Sequence, residues 1–369
     1  MIEVIHVVLL DLLLYLLILL IGYNCMQTGK ISKSQFVLTM FLFVIFCLYP
    51  AWGGDYFHYR ESFQYVRQGY GTHMEDVYVY IIQNITSTYF MFRLVVWGGA
   101  SYILYKAYKN TEVDTYLSIL IFSLLFLPRF SYARVSLAMA LTFLGMSLLT
   151  YKKGFRNYLL GILVLVGSFF FHKSALFGIG VVLVSIFLYD RIGKKTLVAV
   201  LISFPVLIVV ATNFLSDFLL LDAEDFEMIN VESGQNYLTD EVANKGIAAR
   251  IIDFLMRATY YLIAIEYLII QFKGQYKTFP RSVKAYATAS FFSIVFASIF
   301  AFDLGVSTQT IYSRFIFFGM IPSAVFVAYC VKEKLYPKWT RLVIAMGIAS
   351  MLFSLLYACY LAQNSHYTW

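Results

Sequence analysis

Charged residues are scarce in this sequence. Asp, Glu, Lys and Arg make up 13% of its 369 residues, while hydrophobic residues make up 61%. A soluble domain carries about 25% charged residues, so this scarcity excludes an ordinary soluble protein and leaves a polytopic membrane protein. Alternating ten-residue apolar–polar segments are missing too, which excludes a transmembrane barrel. The spans must then be helices, because backbone groups in lipid have to bond internally. Cysteine is sparse: Cys25, Cys47, Cys330 and Cys359 lie far apart and form no CxxC, which suggests neither a disulfide framework nor a zinc site. The absence of a P-loop and of a complete GxGxxG argues against ATP hydrolysis by this chain. The first residues hold no basic stretch and no small-residue cleavage site, so residues 4–23 read as a retained first span rather than a signal peptide.

What is present is a succession of apolar runs. They predict an all-α polytopic fold of about twelve transmembrane helices: 4–23, 35–50, 88–107, 113–128, 133–150, 157–171, 174–189, 196–213, 253–271, 284–302, 312–330 and 340–361. The whole of 1–369 reads as one transmembrane domain, with loop regions at 51–87 and 214–252. Basic residues set the orientation. Alternate linkers hold Lys30 and Lys33; Lys106 and Lys109; Lys152, Lys153 and Arg156; Arg191, Lys194 and Lys195; Lys273, Lys277, Arg281 and Lys284; and Lys332, Lys334, Lys338 and Arg341. These 18 of the 28 basic residues mark the cytoplasmic side, which puts both termini and the two long loops outside.

The other ten basic residues differ in kind. Fourteen of the 18 inner ones are lysine, whereas eight of the remaining ten are arginine: Arg60, Arg67, Arg93, Arg129, Arg134, Arg250, Arg257 and Arg314, beside Lys173 and Lys245. Arginine offers a planar fork that grips phosphate or carboxylate in two places and stays charged when partly buried. The outer half therefore reads as built to hold an anion. The plainer alternative is that these arginines snorkel or pair with outer acids. Arg134 and Arg314 speak against it, because they fall inside apolar spans where a charge costs several kcal/mol.

Polar residues interrupt the apolar pattern at four places. In "GGDYFHYR", Gly53 and Gly54 permit a sharp exit from the second span. If a short helix follows, Asp55, His58 and Tyr59 share one face, fit for acid–base work or for holding a sugar against Tyr56 and Tyr59. An interfacial aromatic belt is the structural alternative; an Asp-x-x-His metal pair has no evident third ligand. In "PRFSYARVS", Pro128 is expected to end the fourth span. Arg129 and Arg134 then stand near a helix N-terminus, a fit for a diphosphate. In "FFFHKSALF", His172, Lys173 and Ser174 separate two apolar runs, which a simple turn would also require. In "IYSRFIFFG", Arg314 opens the eleventh span. All four lie on the predicted outer side. Segment 214–252 adds eight acids and reads as a lid, a glycan-binding surface or a solvated loop. Asp11 and Glu266, inside spans, are candidate partners for polar groups.

These motifs in order resemble the EpsG family of polysaccharide polymerases, relatives of the Wzy O-antigen and capsule polymerases. The resemblance rests on Gly54-Asp55-Tyr56 followed by Tyr59, the Arg134 helix, "TYKKGFRNYLL", His172-Lys173-Ser174-Ala175 and Ser313-Arg314-Phe315. The family's first-helix arginine is usually followed by Gln, where this chain has Val135. The resemblance implies a GT-C-like fold in the bacterial cytoplasmic membrane, with an active site facing the periplasm or cell exterior. It implies transfer of a growing glycan from undecaprenyl diphosphate to the next lipid-linked repeat unit, without a metal or other cofactor. Donor and acceptor lipid-linked oligosaccharides and the bilayer are the expected partners, with a chain-length regulator as a further one and no nucleic acid. Asp55 and His172 are then the candidate catalytic residues. Tyr56, Tyr59, Arg60, Arg129, Arg134, Lys173, Arg250 and Arg314 are the candidate substrate contacts. An O-antigen ligase, another GT-C sugar transferase and a secondary transporter are the alternatives. A transporter would place its ionisable residues near the midplane and show internal repeats, and neither pattern is visible here.

Overall fold

The computed structural model describes residues 2–28, 31–49, 55–70, 74–132, 135–151, 154–203, 247–299, 312 and 315–363. Among them every regular element is helical. In chain order these are α1 (Ile2–Thr28), α2 (Lys33–Leu48), α3 (Asp55–Arg67) and α4 (Asp76–Asn84). Next comes α5, made of Tyr89–Arg93, a π-helical turn Leu94–Gly98 and Gly99–Lys109. Then follow α6 (Thr115–Tyr132), α7 (Val135–Tyr151), α8 (Phe155–Phe171), α9 (Ala175–Leu188) and α10 (194–203). The last four are α11 (Ile247–Lys273), α12 (Arg281–Ser298), α13 (Met320–Lys332) and α14 (Pro337–Gln363).

A helix stands at each predicted apolar run, the eighth being described only as far as residue 203. Among the described residues, length and composition qualify four segments to cross a membrane alone: Val8–Cys25, Phe254–Lys273, Phe315–Lys332 and Pro337–Tyr360. Other apolar helices, such as α2, α8 and α9, are shorter. The protein is a helical membrane protein, and among the described residues fewer helices than the expected twelve are long enough to span alone. A bilayer core of about 30 Å needs about 20 helical residues, and α9 has 14. Large apolar side chains, among them Leu20, Phe41, Leu163, Phe187 and Phe353, stay exposed on the outside of the bundle, as lipid-facing surfaces require.

One sequence expectation fails at Pro128. It does not end the fourth apolar helix; α6 runs on through Tyr132 with Pro128 inside it. A proline has no N–H to give to the carbonyl four residues back, here that of Leu124. The hydroxyl of Tyr15, fully buried on α1, donates to Leu124 O at 2.5 Å instead.

Contacts sort the linkers to two ends of the bundle. At one end Glu112 accepts from both the backbone N–H and the hydroxyl of Ser282, at 3.1 and 2.9 Å. There Tyr276 Oη donates to Tyr189 O at 2.9 Å, and burial pushes the Tyr276 phenol above its ordinary range. Lys284 reaches Asp190 at 3.3 Å, Asn110 donates to Ser147 at 3.2 Å, and Phe36 stacks on Tyr116. These pairs bring the linkers around Lys33, Lys109, Lys194 and Lys277 together at a single end.

Candidate functional site

The opposite end holds α3, the turn at His172 and the last turn of α6. Helix α3 forms where the sequence allowed one, starting at Asp55. It lays Tyr59 and Phe63 into the core, and Tyr59 packs on Trp97 with ring centroids 6.3 Å apart. Tyr59 thus serves as a buried anchor for α3, not as an open sugar platform. Arg60, one residue on, is exposed. Asp55 and Tyr56 open the same helix; the surroundings of their side chains lie outside the described structure, as does the side chain of Arg250 on α11. Arg134 and Arg314 lie outside the described residues altogether.

His172 ends α8 in an extended conformation. Its Nδ1 accepts the Ser174 N–H at 3.1 Å, and the Ala175 N–H donates to His172 O at 2.9 Å, so the residue caps the start of α9. With Nδ1 accepting, the neutral ring carries its proton on Nε2. Nε2 lies 3.7 Å from Glu75 Oε1, an ion-pair distance rather than a hydrogen bond. Tyr78 on α4 meets Phe171 edge-on, with centroids 6.2 Å apart, and keeps Glu75 facing His172. Lys173 is exposed beside them.

Arg129 sits half-buried in the last turn of α6. It lines a small cavity with Leu125 and Phe126 of α6, Met256, Thr259 and Tyr260 of α11, and Gly347, Ser350 and Met351 of α14. One residue beyond Met256, the Arg257 guanidinium stands over the Tyr312 ring, 5.0 Å from its centroid. Arg93 is fully buried. Its Nε donates to Cys47 O at 3.1 Å, its Nη2 donates to Cys47 O and, at 2.7 Å, to Ser131 O, and its plane stacks on Trp97 at 3.6 Å.

Two of these residues were not singled out from the sequence. Glu75 sits in no motif; only the fold brings it to His172, almost a hundred residues away. Trp97 looked like one more apolar residue in "RLVVWGG". Arg93 was legible as a charge inside an apolar run, but its role as a packed, backbone-bonded residue was not.

Residues 34–369 match the EpsG family. The chain belongs to the EpsG family. The match spans every element from α2 onward, and so bears out the resemblance drawn from the scattered motifs. No curated protein and no solved structure matches the chain. In this EpsG-family chain the described arrangement can offer an anion the Arg129 guanidinium and the Nε2–H of His172, and a hydroxyl the Glu75 carboxylate.

Proposed function

We propose that the chain polymerises lipid-linked oligosaccharide repeat units at the outer face of the bacterial cytoplasmic membrane. It transfers a growing glycan from undecaprenyl diphosphate to the next repeat unit. Family membership over 34–369 is the observation that carries this reading. The placement of His172, Glu75, Arg129 and α3 at the end away from the lysine-rich linkers supports it. On this reading the bundle is one GT-C-like domain of about twelve spans, with the linkers 51–87 and 214–252 outside.

The chemistry has three requirements. An acceptor hydroxyl attacks the anomeric carbon of the donor, the bond from that carbon to the diphosphate oxygen breaks, and the hydroxyl proton leaves. Arginine forks near the membrane surface stabilise the charge that grows on the diphosphate. Arg129 and the outer arginines Arg134, Arg250 and Arg314 fill this role, with Arg60 and Lys173 on the exposed rim. The proton goes to a carboxylate, which we assign as Asp55. The tautomer of His172 favours that choice, since Nδ1 is engaged by Ser174 and Nε2 already holds a proton facing Glu75. His172 then serves the diphosphate or a sugar oxygen as a donor, and Tyr56 holds a sugar ring.

The test is a gel of surface polysaccharide from cells lacking the chain, with purified protein in vesicles supplied with lipid-linked repeat units. A polymerase defect leaves single repeat units on the carrier or core, and the purified protein restores a ladder. Absence of even the single unit would assign the chain to transport instead.

A further inference from the structure

Arg93 was counted above among the outer arginines suited to hold an anion. Its surroundings give it different work. The carbonyls of Cys47 and Ser131 belong to the last turns of α2 and α6. The last four carbonyls of a helix have no partner within it, and that end favours a cation. One guanidinium therefore caps two helices at once. Its flat face lies on Trp97, and Trp97 touches Tyr59 of α3 and, edge-on at 6.3 Å, Phe92. Phe92 in turn meets Tyr78 of α4, and Tyr78 meets Phe171 beside His172.

All three groups held by Arg93 lead to candidate site residues. Ser131 is two residues past Arg129 in the same turn. The chain that leaves Cys47 enters α3 at Asp55. The aromatic series from Trp97 ends at the His172–Glu75 pair. The π-helical turn 94–98 begins directly after Arg93. Such turns insert a residue into a helix and often occur at functional sites; here the inserted geometry leaves Trp97 stacked on Arg93.

We propose that Arg93 is a positioning residue that sets the placement of the Arg129 turn relative to α3 and the His172–Glu75 pair, and does not bind the substrate anion. The catalytic consequence rests on the polymerase reading above; the placement itself does not. Lysine at this position keeps the charge but has a single tetrahedral head, which cannot bond two carbonyls from a flat fork while stacking on a ring.

The experiment reads placement and turnover separately. Nitroxide labels go on Glu61→Cys of α3 and Lys109→Cys at the far end of α5, both exposed, in a chain whose four native cysteines are alanine. Cys47→Ala leaves the bonded carbonyl in place. Arg93→Lys is expected to broaden the distance distribution between the labels. In vesicles it should lower turnover about a hundredfold, the scale of a 1 Å misplacement, with the KM for lipid-linked repeat unit unchanged. Trp97→Leu keeps the guanidinium donors and removes the stacked ring; it should broaden the same distribution and serves where the lysine variant fails to insert. An unchanged distribution overturns the proposal, and so does a broadened one with normal turnover. A raised KM with a normal distribution makes Arg93 an anion ligand after all. An unsubstituted chain that makes no polymer overturns the polymerase reading and leaves the label result standing.

Discussion

Tyr15 on α1 donates its hydroxyl to the carbonyl of Leu124 on α6, the one carbonyl that Pro128 leaves without its helical N–H. The bond explains how α6 crosses a proline and still delivers Arg129 and Ser131 at its end. A buried carbonyl stripped of its partner costs about 1–3 kcal/mol. Tyr15→Phe should therefore unfold at lower temperature, as read by a thiol-reactive dye reporting on the buried Cys25, Cys47 and Cys330. Pro128→Ala restores the N–H, so it should recover part of that loss when combined with Tyr15→Phe. Additive effects of the two substitutions would disprove the link between them.

A second stability prediction concerns the α7–α8 crossing. A Cβ on Gly145 would stand 2.7 Å from Leu165 Cγ and 2.9 Å from Gly161 O, and one on Gly161 would stand 2.8 Å from Leu149 Cγ. Close approach of this kind is how small residues hold membrane helices together, and Thr142 donates to Ser168 at 3.1 Å across the same contact. Gly145→Ala should destabilise by about 1–3 kcal/mol through overpacking. Gly167→Ala, on the same helix pair with open space around it, should be neutral or stabilising. Equal behaviour of the two variants would remove the crossing as the cause.

The sequence made the helical fold legible because apolar runs in lipid have one backbone solution, and α2, α6, α8 and α14 fall where the runs predicted. The extent of α6 was not legible. Pro128 is a helix breaker by local rules, and only Tyr15, 113 residues earlier in the chain, overrides it. Arg129 and His172 stood out in the sequence as polar interruptions of apolar runs. What was hidden was pairing: His172 looked free to act as a base until Ser174 and Glu75 occupied its two nitrogens, and Tyr59 looked open until α3 turned it onto Trp97.

The sidedness of the bundle gives a third prediction. Glu61 lies at the Arg93 end and Lys338 in a lysine-rich linker, both exposed. The lysine distribution puts the first outside and the second in the cytoplasm. An impermeant maleimide should label Glu61→Cys in intact cells and Lys338→Cys only after permeabilisation. The reverse pattern would move the site to the cytoplasmic face and remove the polymerase reading with it.

Arg134 and Arg314 interrupt apolar runs, where a bidentate anion contact would offset the cost of the charge. Arg134→Lys and Arg314→Lys should each insert normally and lose most chain elongation, measured as the length of the polysaccharide ladder. Ladders of normal length from both variants would mean that these arginines only reach for the interface.

The last prediction separates the groups that could take the acceptor proton. A placed general base contributes typically 10²–10⁴-fold, so its removal should cost that much turnover while substrate still binds. Asp55→Asn keeps the shape and removes the base; turnover should fall by about that factor, with binding of lipid-linked repeat unit retained. His172→Gln removes the donor assigned to the substrate anion, and should weaken binding together with turnover. Glu75→Gln keeps the contact at 3.7 Å from His172 but deletes the charge that holds the imidazole as a donor. It should resemble a mild His172 variant rather than the Asp55 one. If Asp55→Asn elongates normally and Glu75→Gln is dead with binding intact, the base is Glu75 and His172 is its partner. If His172→Gln is dead with binding intact, the imidazole takes the proton at Nδ1, released from the Ser174 N–H, and the roles assigned to Asp55 and His172 exchange.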